Sequence, residues 1–425
     1  MDLEPLFNPK TIAVIGASRD KAKVGSIILK SLMHFHGKLY PVNPNAKFIF
    51  GHRCYPTVES IGKPIDVGII ATRADVVPQI IRNAKNMKTA IIISSGFSEV
   101  GNFKLKDELI AASKETGIRI LGPNCIGIQV PSKELNATFM RPALKGDYAL
   151  ISQSGAVCSS IIDWSVDHKL GFSKIVSVGN AYDLSFAEVI DYLQDDNSTG
   201  KILLYIEGLN SGKKFIEAAK RSKKPIYALK VGKTEEGIKA AKTHTGALAG
   251  SYGIYKDIFR QVGITEMKTL RDLFLFLKMS RMVRKDVIIL SNAGGPATAT
   301  ADLLSEEKIP LKKLSRETMK QLDQFLPENW SRSNPVDIMG DATPDRYEKA
   351  LQILSGEDAN VLVLLTPQEM TEPMETARKI SKFKNIACVF IGGKETTKAR
   401  LYLEDLHIPA FEFPEQAVDC LGLLR

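Results

Sequence analysis

The residue best suited to covalent chemistry is His244. It lies in GKTEEGIKAAKTHTGALAGSYG (232–253), between Thr243 and Thr245, with Gly246, Ala247, Ala249 and Gly250 following. Small neighbours leave an imidazole open to another surface and suit a segment that moves. A neutral imidazole attacks phosphorus through one ring nitrogen. The other nitrogen then needs an acceptor that fixes the tautomer and supports the developing positive charge. A strand-end carboxylate meets that need, and KILLYIEGL (201–209) puts Glu207 where a buried strand opens toward the ligand edge of its sheet. The simpler alternatives are a loop histidine without a task and a solvated or lysine-paired carboxylate. The other five of the six histidines read as structural. His34 and His36 precede Gly37 at a helix end, where a cationic ring interacts well with the dipole, a plainer account than an H-x-H metal pair. His168 precedes Gly171 in a similar place, and His52 and His407 lie beside turns or short strand entries.

A phosphoryl group on a histidine needs a cradle. ISQSGAVCSSIID (151–163) and LSNAGGPATATADLL (290–304) both run from an apolar strand through Ser and Gly into a helix of small residues. Such a junction offers orphan N–H donors, hydroxyls and the positive end of a helix dipole. The candidate phosphate ligands are therefore Ser152, Ser154, Gly155 and Ala156 in one segment and Asn292, Gly294 and Gly295 in the other. One such junction is ordinary; two, in different parts of the chain, point to a phosphoryl group held between two helix ends. Nearer the N-terminus, Gly16-Ala17-Ser18 closes the opening strand and a helix begins near Lys23, a turn able to hold a nucleotide phosphate although it departs from GxGxxG. The second strand ends at Val42-Asn43, where an NAD-binding fold places an acid on the ribose, and this argues against a dehydrogenase. Ser95-Gly96 and Asn124 mark later strand ends, and ordinary turn chemistry accounts for these equally well.

Positioning these residues requires strand–turn–helix repeats, and the sequence supplies them. TIAVIG, KLYPVN, DVGIIAT, TAIIISSGF and IRILGPN alternate with segments of helical period over the first 125 residues. A second series contains YALISQSG, SKIVSVGN, KILLYIEG and KPIYALKVG, and a third runs from VIILSNAGG through NVLVLLTP and ACVFIGG to IPAFEF. Alternation of this kind predicts α/β units with parallel, doubly wound sheets, whose ligands lie beyond the carboxyl ends of the strands. The expected domains are 1–130, 145–284 and 285–425, in keeping with 425 residues at about 150 per domain.

Composition narrows the function class. A hydrophobic fraction of 44% and a charged fraction of 25% describe a folded globular chain. The net charge of +9 raises an anionic partner, but the densest basic tract, 278–287, mixes Lys and Arg with apolar residues at helical spacing, so no nucleic-acid surface is expected. No apolar run approaches the roughly 18 residues of a membrane span, and the N-terminal residues lack a leader pattern. The five cysteines are scattered without a CxxC pair. A cytoplasmic chain with no metal site of its own is the expectation.

SQSGA, VSVGNAYDLSFAEVIDYLQDD, YIEG, THTGALAGS, SNAGGPA and NPVDIMGDA, in this order, resemble the successive motifs of the NDP-forming acyl-CoA synthetases, relatives of succinyl-CoA synthetase. The resemblance implies an α subunit with an N-terminal Rossmann-like CoA-binding domain followed by two flavodoxin-like domains. It implies that acyl-CoA exchanges with phosphate to give an acyl phosphate, that the phosphoryl group passes to His244 with Glu207 orienting the ring, and that phosphohistidine then phosphorylates ADP. Gly16, Ala17, Ser18, Lys23, Val42, Asn43, Ser95, Gly96 and Asn124 would take CoA. ATP or ADP with Mg²⁺ would enter through an ATP-grasp β subunit in an α2β2 heterotetramer, since the 425 residues are filled by the three units. A small carboxylic acid is the remaining substrate. The alternative is a CoA-sensing regulatory module of synthetase type without phosphotransfer, in which the active histidine is commonly lost; here His244 and Glu207 are both present.

Overall fold

The β-branched runs form strands, and three parallel sheets order them alike. The computed structural model describes residues 3–239, 251–279 and 282–424. In the first sheet, β1 (Thr11–Ile15), β2 (Lys38–Val42), β5 (Ile65–Ile70), β6 (Met87–Ile92) and β7 (Arg119–Leu121) lie in the order β2-β1-β5-β6-β7, while β3 (Phe48–Ile49) and β4 (His52–Arg53) make a small separate hairpin. The second sheet contains β8 (Gly127–Val130), β9 (Leu135–Thr138), β10 (Leu144–Ser152), β11 (Gly171–Ser177), β12 (Lys201–Ile206), β13 (Ile226–Lys230) and β14 (Thr265–Met267), ordered β14-β13-β12-β10-β11-β8-β9. The third has β15 (Val287–Ser291), β16 (Val336–Asp337), β17 (Asn360–Leu365), β18 (Ile386–Phe390) and β19 (Ala410–Phe411) in the order β16-β15-β17-β18-β19. Setting aside the antiparallel β8–β9 hairpin, each sheet reads 2-1-3-4-5, the flavodoxin-like order. That order opens a crevice beyond the carboxyl ends of its first and third strands.

Strand periodicity explains why both faces are covered. Ile12 and Val14 of β1 join a core with Ile28 and Leu29 of the helix Val24–Ser31, while Ala13 and Ile15 face Val77, Ile81, Leu105 and Leu109 on the other side. The first of these cores continues into Ile151, Val176, Ile202, Leu204 and Ile206 of the second sheet. The first two sheets thus share one compact unit, which runs to Asp167 and resumes over Gly171–Lys268. The hairpin from Gly127 lies in the second sheet rather than with residues 1–130. A separate unit holds His168–Leu170 and the chain from Thr269 onward, built around Ile288, Leu290, Val363, Leu365, Cys388 and Phe390. Its first helix, Leu270–Phe276, is started by a Thr269/Asp272 capping box and lies before the expected boundary at 285. Arg271 of that helix pairs with Asp419 of the helix Pro414–Leu423 at 2.8 Å.

One buried ion pair fixes the second sheet. Lys174 of β11 donates to the Asp196 carboxylate, which also accepts from Thr199 Oγ1 at 2.5 Å. Burial alone would raise the Asp196 carboxyl, but the hydrogen bonds from Lys174 and Thr199 bring it down to about 2. The unfolded carboxyl titrates near its ordinary value of about 3.9. The stabilisation is therefore complete above that pH and is lost as pH falls through about 2. Asp196→Asn is expected to lower stability by about 2 kcal/mol at pH 7 and to flatten its acid dependence. Urea unfolding across pH measures both, and equal wild-type and variant midpoints at pH 7 would contradict the assignment.

Candidate active site

Ser152 ends β10 and Glu207 follows β12, so both lie at the switch point of the second sheet. The turn between β10 and the helix Gly155–Asp167 is held by its own side chains. Ser152 Oγ accepts from Ser154 N–H at 3.0 Å and donates to Ser154 O at 2.9 Å, and Ser154 Oγ accepts from Val157 N–H at 3.3 Å. Gly155 and Ala156 then open the helix with their N–H groups directed out of its positive end. A Cβ on Gly155 would lie 2.9 Å from Ile126 Cγ2, which accounts for glycine at that position.

Gln153 joins the two strand ends. Its Oε1 accepts from Glu207 N–H at 2.7 Å and Gly208 N–H at 2.9 Å, and its own N–H donates to Tyr205 O at 3.2 Å. The Glu207 backbone is thereby fixed, with only 6% of the residue exposed. Lys230, at the end of β13, donates to Glu207 O at 3.0 Å and to Val231 O, and its ammonium lies 4.7 Å from the Tyr255 ring centre. Burial pushes this amine down to about 8, with the charge of Glu207 acting in the opposite direction. Burial, reinforced by Glu207, pushes the Tyr205 phenol up to about 12. Gln153→Leu leaves two buried N–H groups unpaired and is expected to cost about 1–3 kcal/mol for each. The shift of the urea midpoint measures this, and a change below about 0.5 kcal/mol would contradict the clamp.

The third sheet repeats the device. Ser291 Oγ accepts from Ala293 N–H at 3.0 Å and donates to Ala293 O at 2.9 Å, as Ser152 does with Ser154. Asn292 takes the place of Gln153: its Oδ1 accepts from Thr366 N–H at 2.9 Å and its Nδ2 donates to Thr366 O at the same distance. Gly294 and Gly295 open the helix Gly294–Glu306, and a Cβ on Gly295 would meet nothing within 4 Å. In both segments the serine hydroxyl and the amide side chain are engaged in building the turn. The helix-end N–H groups are what each turn presents.

The first sheet gathers its residues in two places. Gly16, Val42 and Asn43 line a cavity of about 490 Å³ at the ends of β1 and β2, together with Thr72 beyond β5. Gly16 has φ of 90°, and Gly25 packs so closely that a Cβ there would lie 2.1 Å from Gly16 O. Ala17 is buried and its carbonyl accepts from Asn43 Nδ2 at 2.7 Å, Ser18 Oγ caps Asp20 N–H at 3.0 Å, and Lys23 precedes the helix Val24–Ser31. Ser95, Gly96 and Asn124 lie instead at the ends of β6 and β7. There the Gly96 N–H donates to Glu99 Oε1 at 2.5 Å, and Glu99 Oε2 accepts from Asn180 Nδ2 at 2.7 Å. Tyr182 completes this junction through Ser98 Oγ at 2.7 Å. His244, with Thr243 and Thr245 beside it, lies outside the described residues.

Comparison with known proteins places these turns in a lineage. The CoA binding domain pattern matches residues 10–131, and the succinyl-CoA ligase like flavodoxin domain matches 145–280. The acetate–CoA ligase (ADP-forming) II subunit alpha of Pyrococcus furiosus is 38% identical, over 97% of this chain and 95% of that one. A solved structure of the dinucleotide forming acetyl-coenzyme A synthetase 1 of Ca. Korarchaeum cryptofilum, with phosphate and ADP, is similar with a TM-score of 0.94. It is 36% identical, and the match covers 99% of this chain and 96% of that one. The chain belongs to the family of ADP-forming acyl-CoA synthetases. It spans 63% of the length of another relative, the acetate–CoA ligase (ADP-forming) I of Archaeoglobus fulgidus, to which it is 40% identical.

For an ADP-forming acyl-CoA synthetase, the residues that sequence reasoning passed over are as informative as those it named. Gln153 sits inside the SQSG motif, where Ser and Gly drew the attention. Lys230 carried its own signal, a lone charge ending the apolar strand IYALK, since a lysine is almost never fully buried unless paired. Glu99 follows Gly96 by three residues, the spacing at which a carboxylate reaches back to a turn N–H.

Proposed function

We propose that this chain is the α subunit of an ADP-forming acyl-CoA synthetase that works through phosphorylated His244. The observation that supports this best is the buried Glu207 at the switch point of the second sheet, adjoining through Gln153 the helix N-terminus opened by Gly155 and Ala156. That site offers dipole and N–H groups to a phosphoryl group and a carboxylate to an imidazole, the two complements that a phosphohistidine needs.

In the proposed reaction, a phosphate oxygen attacks the acyl carbon of acyl-CoA and the C–S bond breaks, releasing CoA and leaving an acyl phosphate. One nitrogen of His244 attacks phosphorus and the acyl–oxygen bond to phosphorus breaks, releasing the carboxylate. The other ring nitrogen keeps its proton and donates it in a hydrogen bond to Glu207. An ADP oxygen then takes the phosphoryl group and restores neutral His244. The first-sheet cavity bounded by Gly16, Val42 and Asn43 fits a nucleotide-bearing thiol such as CoA: the Gly16 turn has no side chain, and the helix after Lys23 begins beside it. ADP and its Mg²⁺ come on an ATP-grasp β subunit, in an α2β2 assembly, and a small carboxylate such as acetate is the acid.

Incubation of the full chain with acetyl phosphate tests this reading. One acid-labile, base-stable phosphoryl group per chain is expected, transferable to ADP once the partner subunit is added. A folded chain that binds CoA and takes no label would overturn the proposal in favour of a CoA-sensing module.

A further inference from the structure

Lys230 is fully buried, and its ammonium is surrounded by groups that favour a cation. It donates to the carbonyls of Glu207 and Val231 and lies over the Tyr255 ring, whose hydroxyl in turn accepts from Leu209 N–H at 3.1 Å. The Glu207 carbonyl lies at the switch point and the Val231 carbonyl follows the neighbouring strand β13, so the ammonium sits directly behind the Glu207 backbone. The groups facing it are Glu207 just after β12, Tyr255 from the helix Tyr252–Val262, and Lys233 beyond β13. Lys233 is itself paired with Glu266 of β14 at 3.2 Å. Glu207 is thus the carboxylate that acts on the Lys230 charge.

A carboxylate taken out of water loses the solvation that favours its ionised form, and a nearby cation restores it. The same holds in reverse for the buried ammonium. Resting on the phosphotransfer reading above, we propose that Lys230 is the positioning residue for Glu207, fixing the strand end that carries it and holding its carboxylate ionised to receive the imidazole N–H. Two functions meet in one group: the hydrogen bond to Glu207 O sets geometry, and the charge sets protonation.

The amine is held near 8 by burial, so its charge is complete well below that pH and is lost as pH rises through it. Initial rates of labelling by acetyl phosphate, measured from pH 6 to 10 with the full chain, read this out. Wild type is expected to lose rate with a midpoint near 8. Lys230→Arg keeps the charge throughout this range, so it should retain labelling at pH 9 and move the alkaline limb upward. Lys230→Met should label about tenfold or more slowly at pH 7, with no limb near 8. CoA binding by both variants controls for folding, and if Lys230→Met does not fold, the Lys230→Arg profile decides. A wild-type label with the same alkaline limb in Lys230→Arg would overturn the role of Lys230 alone. Failure of wild type to label would overturn the phosphotransfer reading and this role with it.

Discussion

Replacement of His244 by alanine is expected to abolish labelling by acetyl phosphate, roughly 10³-fold or more below wild type, the scale on which loss of a nucleophile acts. None of the described histidines lies at the switch point of the second sheet. His34 and His36 follow the first-sheet helix Val24–Ser31, and His168 pairs with Glu404 at 3.4 Å in the other compact unit. CoA binding should persist, because the described residues lining the cavity around Gly16 and Asn43 all come from the first-sheet segment between Ile15 and Asn83. The pair of readouts separates loss of the nucleophile from loss of the fold. Labelling of His244→Ala at the wild-type rate would remove this histidine from the mechanism.

Glu207→Gln should have the second largest effect, a loss of about 10²–10⁴-fold in the labelling rate. An amide in place of an orienting carboxylate can present the wrong group to the ring and supplies no countercharge to the developing imidazolium. This substitution is a clean probe because the frame around position 207 is built from backbone. Gln153 Oε1 holds the 207 and 208 N–H groups, and Lys230 holds the 207 carbonyl, so none of these bonds uses the side chain that is changed. CoA binding should therefore stay close to wild type, while the buried Lys230 ammonium loses the charge that favours it and stability should fall modestly. Labelling that is unchanged in Glu207→Gln would assign the carboxylate a structural role only.

The parts of this arrangement that follow from periodicity were legible in the sequence. Runs such as TIAVI, KILLYI and NVLVLL could be read as strands buried on both faces, and their alternation with helical segments predicts the parallel sheets. The kinship of the Ser152 and Ser291 turns was also visible as a repeated Ser-x-x-Gly pattern, and the same pair of hydrogen bonds is found in both. What escaped was long-range pairing. Gln153 matters because β10 and β12 are neighbours, and Lys230 because β13 lies next to β12; neither adjacency is encoded in local spacing. The hairpin β8–β9 straddles the expected end of the first unit at 130, because its antiparallel pairing to β11 joins segments some 45 residues apart. The Leu270–Phe276 helix falls before the expected boundary at 285, and its contact with the Pro414–Leu423 helix, including the Arg271–Asp419 pair, assigns it to the unit from Thr269 onward.

The central claim is that one histidine carries the phosphoryl group between acyl phosphate and nucleotide. Peptide mapping by mass spectrometry at neutral to alkaline pH, after brief exposure of the full chain to acetyl phosphate, tests it most directly. The account predicts a single phosphoryl group on His244, removed by acid and by ADP with the partner subunit. A phosphoryl group on any other residue, or none on a folded chain that binds CoA, would contradict it.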